Sequence, residues 1–268
     1  MRLALYILAV AFVANSHALP QDPKGLGGLN LHNPEVSIEL LHQSSRINDS
    51  QRGYPSSCPA WEGIFTITTQ YPNLPPFKVL CDSTLNGPGW LVVARRFDGS
   101  VNFFRNWTLY KEGFGDLSGE FFIGLDKLQS IVSSQQHELY VYLQDFDGQS
   151  RYARYDDFII SSEKQGYQLQ KLGTYSGDAN DALRWHEGHK FSTFDMDYSA
   201  QDCSPRRMGA YWYGTIGGCT DSNLFGMYLN GEVSEKLSAS GITWYLWRGK
   251  EYSYKFMQMM VRPKYYQD

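Results

Sequence analysis

The sequence predicts an exported globular protein made mostly of short β-strands, and three observations carry that prediction. Its 268 residues are 42% hydrophobic and 15% aromatic with a formal net charge of −4, a balance that suits a buried core and a solvated surface. Its N-terminus has the three-part pattern of an export signal. From Cys58 onward, β-branched and aromatic runs alternate with Pro, Gly and Asn turns. The same composition excludes two classes of function. Nucleic-acid binding needs clustered Lys and Arg, and 24 basic residues set against 28 acidic ones offer no such cluster. No apolar run reaches the roughly 18 residues that span a bilayer, so membrane insertion is not expected.

Taken in order, Arg2 supplies a positive start, Leu3 to Val13 an apolar stretch, and Ser16 and Ala18 the small residues before a cleavage at Leu19. Residues 1–18 therefore read as a signal peptide. Residues 19–57 read as a linker, with Pro20, Pro23, Pro34 and Pro55, the stretch GLGGLN, and one short amphipathic run from Glu35 to His42. No heptads are sustained there, so no coiled-coil stalk is expected, and the oligomeric state is left open.

The remaining residues, 58–264, read as one domain. Strands are expected at Ile64–Thr68, Phe77–Cys81 and Trp90–Arg95. Leu139, Val141 and Leu143 alternate with Tyr140 and Tyr142, which gives a strand with one aliphatic and one aromatic face. A short helix is expected at Asp126–Val132 with Asp126 as its N-cap. Further strands follow at Arg151–Ile160, Tyr167–Leu172 and Phe256–Val261. Gly173 to Gly249 differs: eleven glycines and thirteen aromatics with little periodicity suggest an ordered, loop-rich lobe, where binding chemistry tends to sit.

Four cysteines in an exported chain imply disulfides, with three connectivities open. They fall as two close pairs far apart, which favours Cys58–Cys81 and Cys203–Cys219. The sequons Asn48-Asp49-Ser50 and Asn106-Trp107-Thr108 are candidate glycosylation sites. His186 and His189 stand at i, i+3 with Gly188 between them, whereas a helical zinc pair needs i, i+4, so they read as core or surface histidines. No G-x-S-x-G elbow or phosphate loop is present, and no enzymatic activity is expected. Asp195, Asp197 and Ser199 place oxygen ligands at alternating positions suited to Ca2+. The aromatic run Tyr211, Trp212, Tyr213 lies between the second cysteine pair, as either a ligand pocket or core.

These residues together resemble the fibrinogen C-terminal (fibrinogen-related) domain family, which includes ficolin-, tachylectin- and angiopoietin-like proteins. The resemblance covers about Ser57 to Lys264 and rests on SCPAWEGIFTI, PPFKVLCD, NGPGWLVVARRFDGSVNFFRNW, YKEGFGDLSGEFFIGLDKL, ELYVYLQDFDG, HEGHKFSTFDMD, GAYWYG, SNLFGMY and GITWYLWRGKEYSYKFMQMMVRP, in order. It implies an α+β fold: a small N-terminal disulfide-bonded subdomain, a central antiparallel sheet and a loop-rich C-terminal lobe that binds ligands. It implies the same two disulfides.

The family's calcium loop maps onto Asp195 and Asp197, but its third carboxylate falls on Ser199 and the run to Cys203 is shortened, which weakens coordination. The family's acetyl-recognising pocket maps onto Arg207, Tyr211, Trp212, Tyr213, Thr220 and Asn223. There Thr220 stands for a histidine, and Arg207 and Ser238 stand for tyrosines. The loop Gly214–Gly218 is longer than the family's. The function implied is secreted, non-catalytic recognition of glycans or microbial surface ligands through the C-terminal lobe. The alternative is a secreted protein ligand or matrix factor that binds a cell-surface receptor.

Overall fold

The computed structural model describes residues 53–69 and 74–264; the signal-peptide segment, most of the 19–57 segment and the Asn48 sequon lie outside them. The described residues form one compact unit. Strand β1 (Gly63–Ile67) pairs antiparallel with β2 (Phe77–Asp82), and β2 with β3 (Trp90–Arg96). The Cys58–Cys81 disulfide, with Cα atoms 5.6 Å apart, ties the chain ahead of β1 to β2. Trp90, Leu91, Val92, Val93 and Ala94 are all buried, because β3 is covered on both faces.

The short strands β4 (Phe114–Gly115) and β5 (Phe121–Phe122) extend β3 on one side. Next come β6 (His137–Gln144), β7 (Ser150–Tyr155), β8 (Phe158–Ile160), β9 (Leu169–Leu172) and β10 (Tyr175–Gly177). The C-terminal lobe has two small pairs, β11 (Ser222–Asn223) with β13 (Thr243–Trp244) and β12 (Gly231–Glu232) with β14 (Tyr252–Ser253). The last strand, β15 (Phe256–Pro263), inserts between β3 and β6 and pairs antiparallel with both. The main sheet therefore runs β1-β2-β3-β15-β6-β7-β10. Met257, Met259, Met260 and Val261 are buried, so the chain closes its core with its own final strand.

Two helices cover the sheet. Helix α1 (Trp107–Glu112) is capped by Asn106, whose Oδ1 accepts from the Leu109 N–H at 3.1 Å. Helix α2 (Leu125–Ser134) buries Leu125, Leu128, Ile131 and Val132. Its N-cap is Gly124 at φ 107°, not Asp126 as expected. Asp126 sits one position inside the helix, where its carboxylate accepts from the Tyr167 hydroxyl.

The strand expected at Arg151–Ile160 breaks in two. Asp156 and Asp157 interrupt it: Asp156 Oδ1 accepts from the Thr174 N–H at 2.6 Å and Asp157 pairs with Lys171 at 2.6 Å. Beyond that break, β8 leaves the main sheet to pair with β9, and β10 takes the edge beside β7. The next strand begins at Leu169 rather than Tyr167, because Tyr167 stands at φ 44°.

Arg96 and Glu120 join the sheet to the C-terminal lobe. Both are fully buried, with Arg96 Nε 3.7 Å from Glu120 Oε2. Glu120 also accepts the backbone N–H groups of Phe97, Asp98, Gly99 and Val101. Arg96 Nη1 donates to Gly226 O at 2.8 Å, and its guanidinium lies 3.8 Å from the Phe103 ring centre. Burial pulls the Arg96 guanidinium down to about 10, against the opposing attraction of Glu120.

Candidate functional site

The C-terminal lobe is held by His186. Its ring is fully buried; Nδ1–H donates to Trp212 O at 2.8 Å, and Nε2 accepts from the Ser222 N–H at 3.1 Å. Those two bonds require the neutral imidazole, and burial lowers its pKa from 6.5 to about 3. His186 thereby links the aromatic run to β11. His189 instead stacks on Trp185, ring centres 5.1 Å apart. The two histidines thus share no ligand, and they occupy the core and its margin.

Tyr211, Trp212 and Tyr213 are fully buried, as is Asn223. Trp212 Nε1 donates to Tyr167 O at 2.7 Å and Tyr213 Oη donates to Asn223 Oδ1 at 2.9 Å. Tyr211 packs edge-on to His186, Trp212 and Phe225. Of the two roles open for the aromatic run, this burial favours core that supports the lobe over the wall of an open pocket. Asn223 is structural too, its Nδ2 donating to Arg207 O and Ala239 O at 3.0 Å each. Thr220 is buried, its hydroxyl donating to Ser222 O.

Arg207 is half-buried and follows the short helix α3 (Cys203–Arg206). Its Nη1 donates to Ser238 O at 2.7 Å, so the two positions where the family resemblance places tyrosines are bridged by a guanidinium. Burial, and then the neighbouring Arg206 charge, pulls that guanidinium below its ordinary value. A cation bonded between these two positions weakens an apolar acetyl slot there.

The acidic loop bonds to helix α1 and to its own backbone. Asp195 Oδ1 accepts from the Trp107 N–H at 2.9 Å and from the Thr193 hydroxyl at 2.7 Å. Asp197 uses one oxygen for the Ser199 N–H at 2.8 Å and the other for the Ser204 N–H at 2.9 Å. Ser199 Oγ accepts from the Cys203 N–H at 2.8 Å. Among the described residues, no three His, Cys, Asp or Glu side chains converge as metal ligands. Asp195 Oδ1, both Asp197 oxygens and Ser199 Oγ thus each already accept from an N–H or O–H group, and Ser199 supplies no charge at the third position, which weakens coordination of a calcium ion.

The Cys203–Cys219 disulfide, with Cα atoms 5.4 Å apart, closes the segment that carries the loop Gly214–Gly218. Gly214 lies under Trp185, whose indole occupies the place of any Cβ there, and its N–H donates to Cys219 O at 3.0 Å. The loop is thus fixed at its base, and its tip carries Ile216, 84% exposed. Helix α4 (Tyr245–Arg248) is tied to the segment after the second disulfide, with the Tyr245 N–H donating to Asp221 O at 2.9 Å. Lys250 pairs with Asp221 at 3.5 Å and lies 4.6 Å from the Tyr245 ring centre. Tyr245 and Leu246 are both exposed. A cleft of about 410 Å3, lined by Gln168, Glu187, His189, Lys190, Tyr198 and Thr215, opens beside the loop.

This lobe on this sheet defines a disulfide-braced domain, and comparison with known proteins gives its family. Residues 56–264 match the model described as fibrinogen beta and gamma chains, C-terminal globular domain. The chain belongs to that family. It is 41% identical over 210 residues to fibrinogen C domain-containing protein 1 of Macaca fascicularis, a match covering 75% of this chain and 47% of that protein. The chain thus aligns with about half the length of that relative. The fibrinogen-like globe domain of human ANGPTL2 superposes with a TM-score of 0.72 at 33% identity, covering 82% of this chain and 97% of that one. Lamprey fibrin D-dimer, complexed with the peptide Gly-His-Arg-Pro-amide, superposes with a TM-score of 0.70 at 27% identity, covering 87% and 85%. No helix among the described residues is long and apolar enough to cross a membrane.

Proposed function

We propose that this is a secreted, non-catalytic recognition protein whose C-terminal lobe binds a protein on a cell surface. The observation that carries this reading is Ile216, 84% exposed at the tip of a loop fixed at its base by Trp185 and a disulfide. An apolar side chain held out in water is stabilised by a partner that covers it. Tyr245 and Leu246 add a second exposed apolar pair in the same lobe, with the Asp221–Lys250 pair at its edge. The Arg207 bridge to Ser238 speaks against an acetyl slot, and a family relative takes a peptide ligand. Two disulfides support an oxidising, extracellular setting.

A glycan reading is favoured by the polar cleft beside Tyr198, which joins an aromatic face to amide, carboxylate and ammonium groups. Labelled protein applied to intact cells tests the first reading. Ile216→Asp should abolish binding while leaving the melting temperature unchanged. Loss of binding in Lys190→Ala with Ile216→Asp unaffected would transfer the site to the cleft.

A further inference from the structure

Asn106 sits at the N-cap of α1, between Phe104 and Trp107 in the chain. Its Oδ1 is committed to the Leu109 N–H, while its Nδ2 makes no hydrogen bond and is open to solvent. Thr108, which completes the sequon, is exposed. The acidic loop packs against this segment: Phe104 and Phe194 rings stand 4.9 Å apart, and Trp107 and Tyr198 rings 6.1 Å apart. Phe194, Met196 and Tyr198 are 44%, 39% and 39% exposed, which makes an apolar patch beside the free amide nitrogen.

We propose that Asn106 carries an N-linked glycan whose first sugars lie over Phe104, Phe194 and Tyr198. The donor is a lipid diphosphate-linked oligosaccharide of the secretory pathway. Its C1–O bond to the diphosphate breaks, a C1–N bond forms to Nδ2, and the amide gives up one proton as the lipid diphosphate leaves. The glycosylated amide keeps its carbonyl, so the helix cap survives the modification. Sugar rings present C–H faces that pack on aromatic rings, and the attachment point leaves them within reach of this patch. The glycan then covers this apolar patch. The proposal rests on the secretory reading above.

The test expresses the full chain in an animal-cell secretory host and maps the peptide containing Asn106 by mass. The expected result is a mass increase by whole hexosamine and hexose units on that peptide, lost in Thr108→Ala and kept in Thr108→Ser. Thr108→Ala leaves the cap intact, so it should melt with the wild type yet bind more of an apolar fluorescent dye, and adding Phe194→Ser should remove that gain. Secreted, disulfide-bonded protein with bare Asn106 would overturn the site. Full occupancy with no dye difference in Thr108→Ala would overturn the covering of the patch. Unmodified protein held in the cytosol would overturn both this proposal and the secretory reading.

Discussion

Acidification is expected to loosen the C-terminal lobe through His186. The folded imidazole titrates at about 3 against an ordinary 6.5, with burial as the first cause. Between those values the unfolded chain holds a proton that the native state does not, so stability is complete above pH 6.5 and falls as the pH drops towards 3. The coupling accumulates at about 1.4 kcal/mol per pH unit, or about 2.7 kcal/mol by pH 4.5. Protonation of Nε2 also removes the acceptor for the Ser222 N–H, so the loss should concentrate at the link between the aromatic run and β11. His137, also lowered by burial, adds to the wild-type slope in the same direction. Urea unfolding at pH 7 and at pH 4.5, compared between wild type and His186→Gln, isolates the His186 share. The variant should start less stable and lose about 2.7 kcal/mol less on acidification. Equal pH slopes in the two proteins would refute a neutral, buried His186.

Glu120→Ala leaves Arg96 buried without its carboxylate and frees four backbone N–H groups, so chemical denaturation should show a loss of about 3–5 kcal/mol. Paired replacement of Cys203 and Cys219 by Ser opens a bridge of sequence separation 16 and should cost about 3 kcal/mol, read by denaturation and by faster amide exchange between β11 and the aromatic run. Both Asp197 oxygens already accept backbone N–H groups and Ser199 lacks a carboxylate, so the melting temperature should be the same in calcium and in EDTA; a rise in calcium would show a site built around Asp195 and Asp197.

Much of this fold was legible where structure is local. The alternation over residues 139–143 and the β-branched run around Trp90 marked strands because their periodicity records which faces are buried. The insertion of β15 between β3 and β6 left no local mark, since pairing across such separations is decided by packing. The break at Asp156 and Asp157 was missed because two carboxylates in a row could be read as the solvated face of one strand. Helix α1 was missed although Asn106 is a cap-forming residue, because its six residues show too little periodicity.

The site was harder to read. The cysteine pairs were visible in their spacing, but Tyr211, Trp212 and Tyr213 look alike in sequence whether they line a pocket or fill a core. Arg96, Glu120 and His186 act through hydrogen-bond and ion-pair partners 19 to 130 residues away, and nothing next to them in the chain points to those contacts. Ile216 was visible only as part of a longer loop. Its exposure follows from the seating of Gly214 beneath Trp185, a tertiary contact.

The central claim is that the lobe recognises protein. Its most direct test measures binding of the disulfide-intact protein to cells before and after surface proteolysis, with and without N-acetylglucosamine as competitor. Binding that is lost after proteolysis and indifferent to the sugar is the predicted result. Binding that survives proteolysis and is displaced by the sugar would contradict the account and place a lectin site on the same fold.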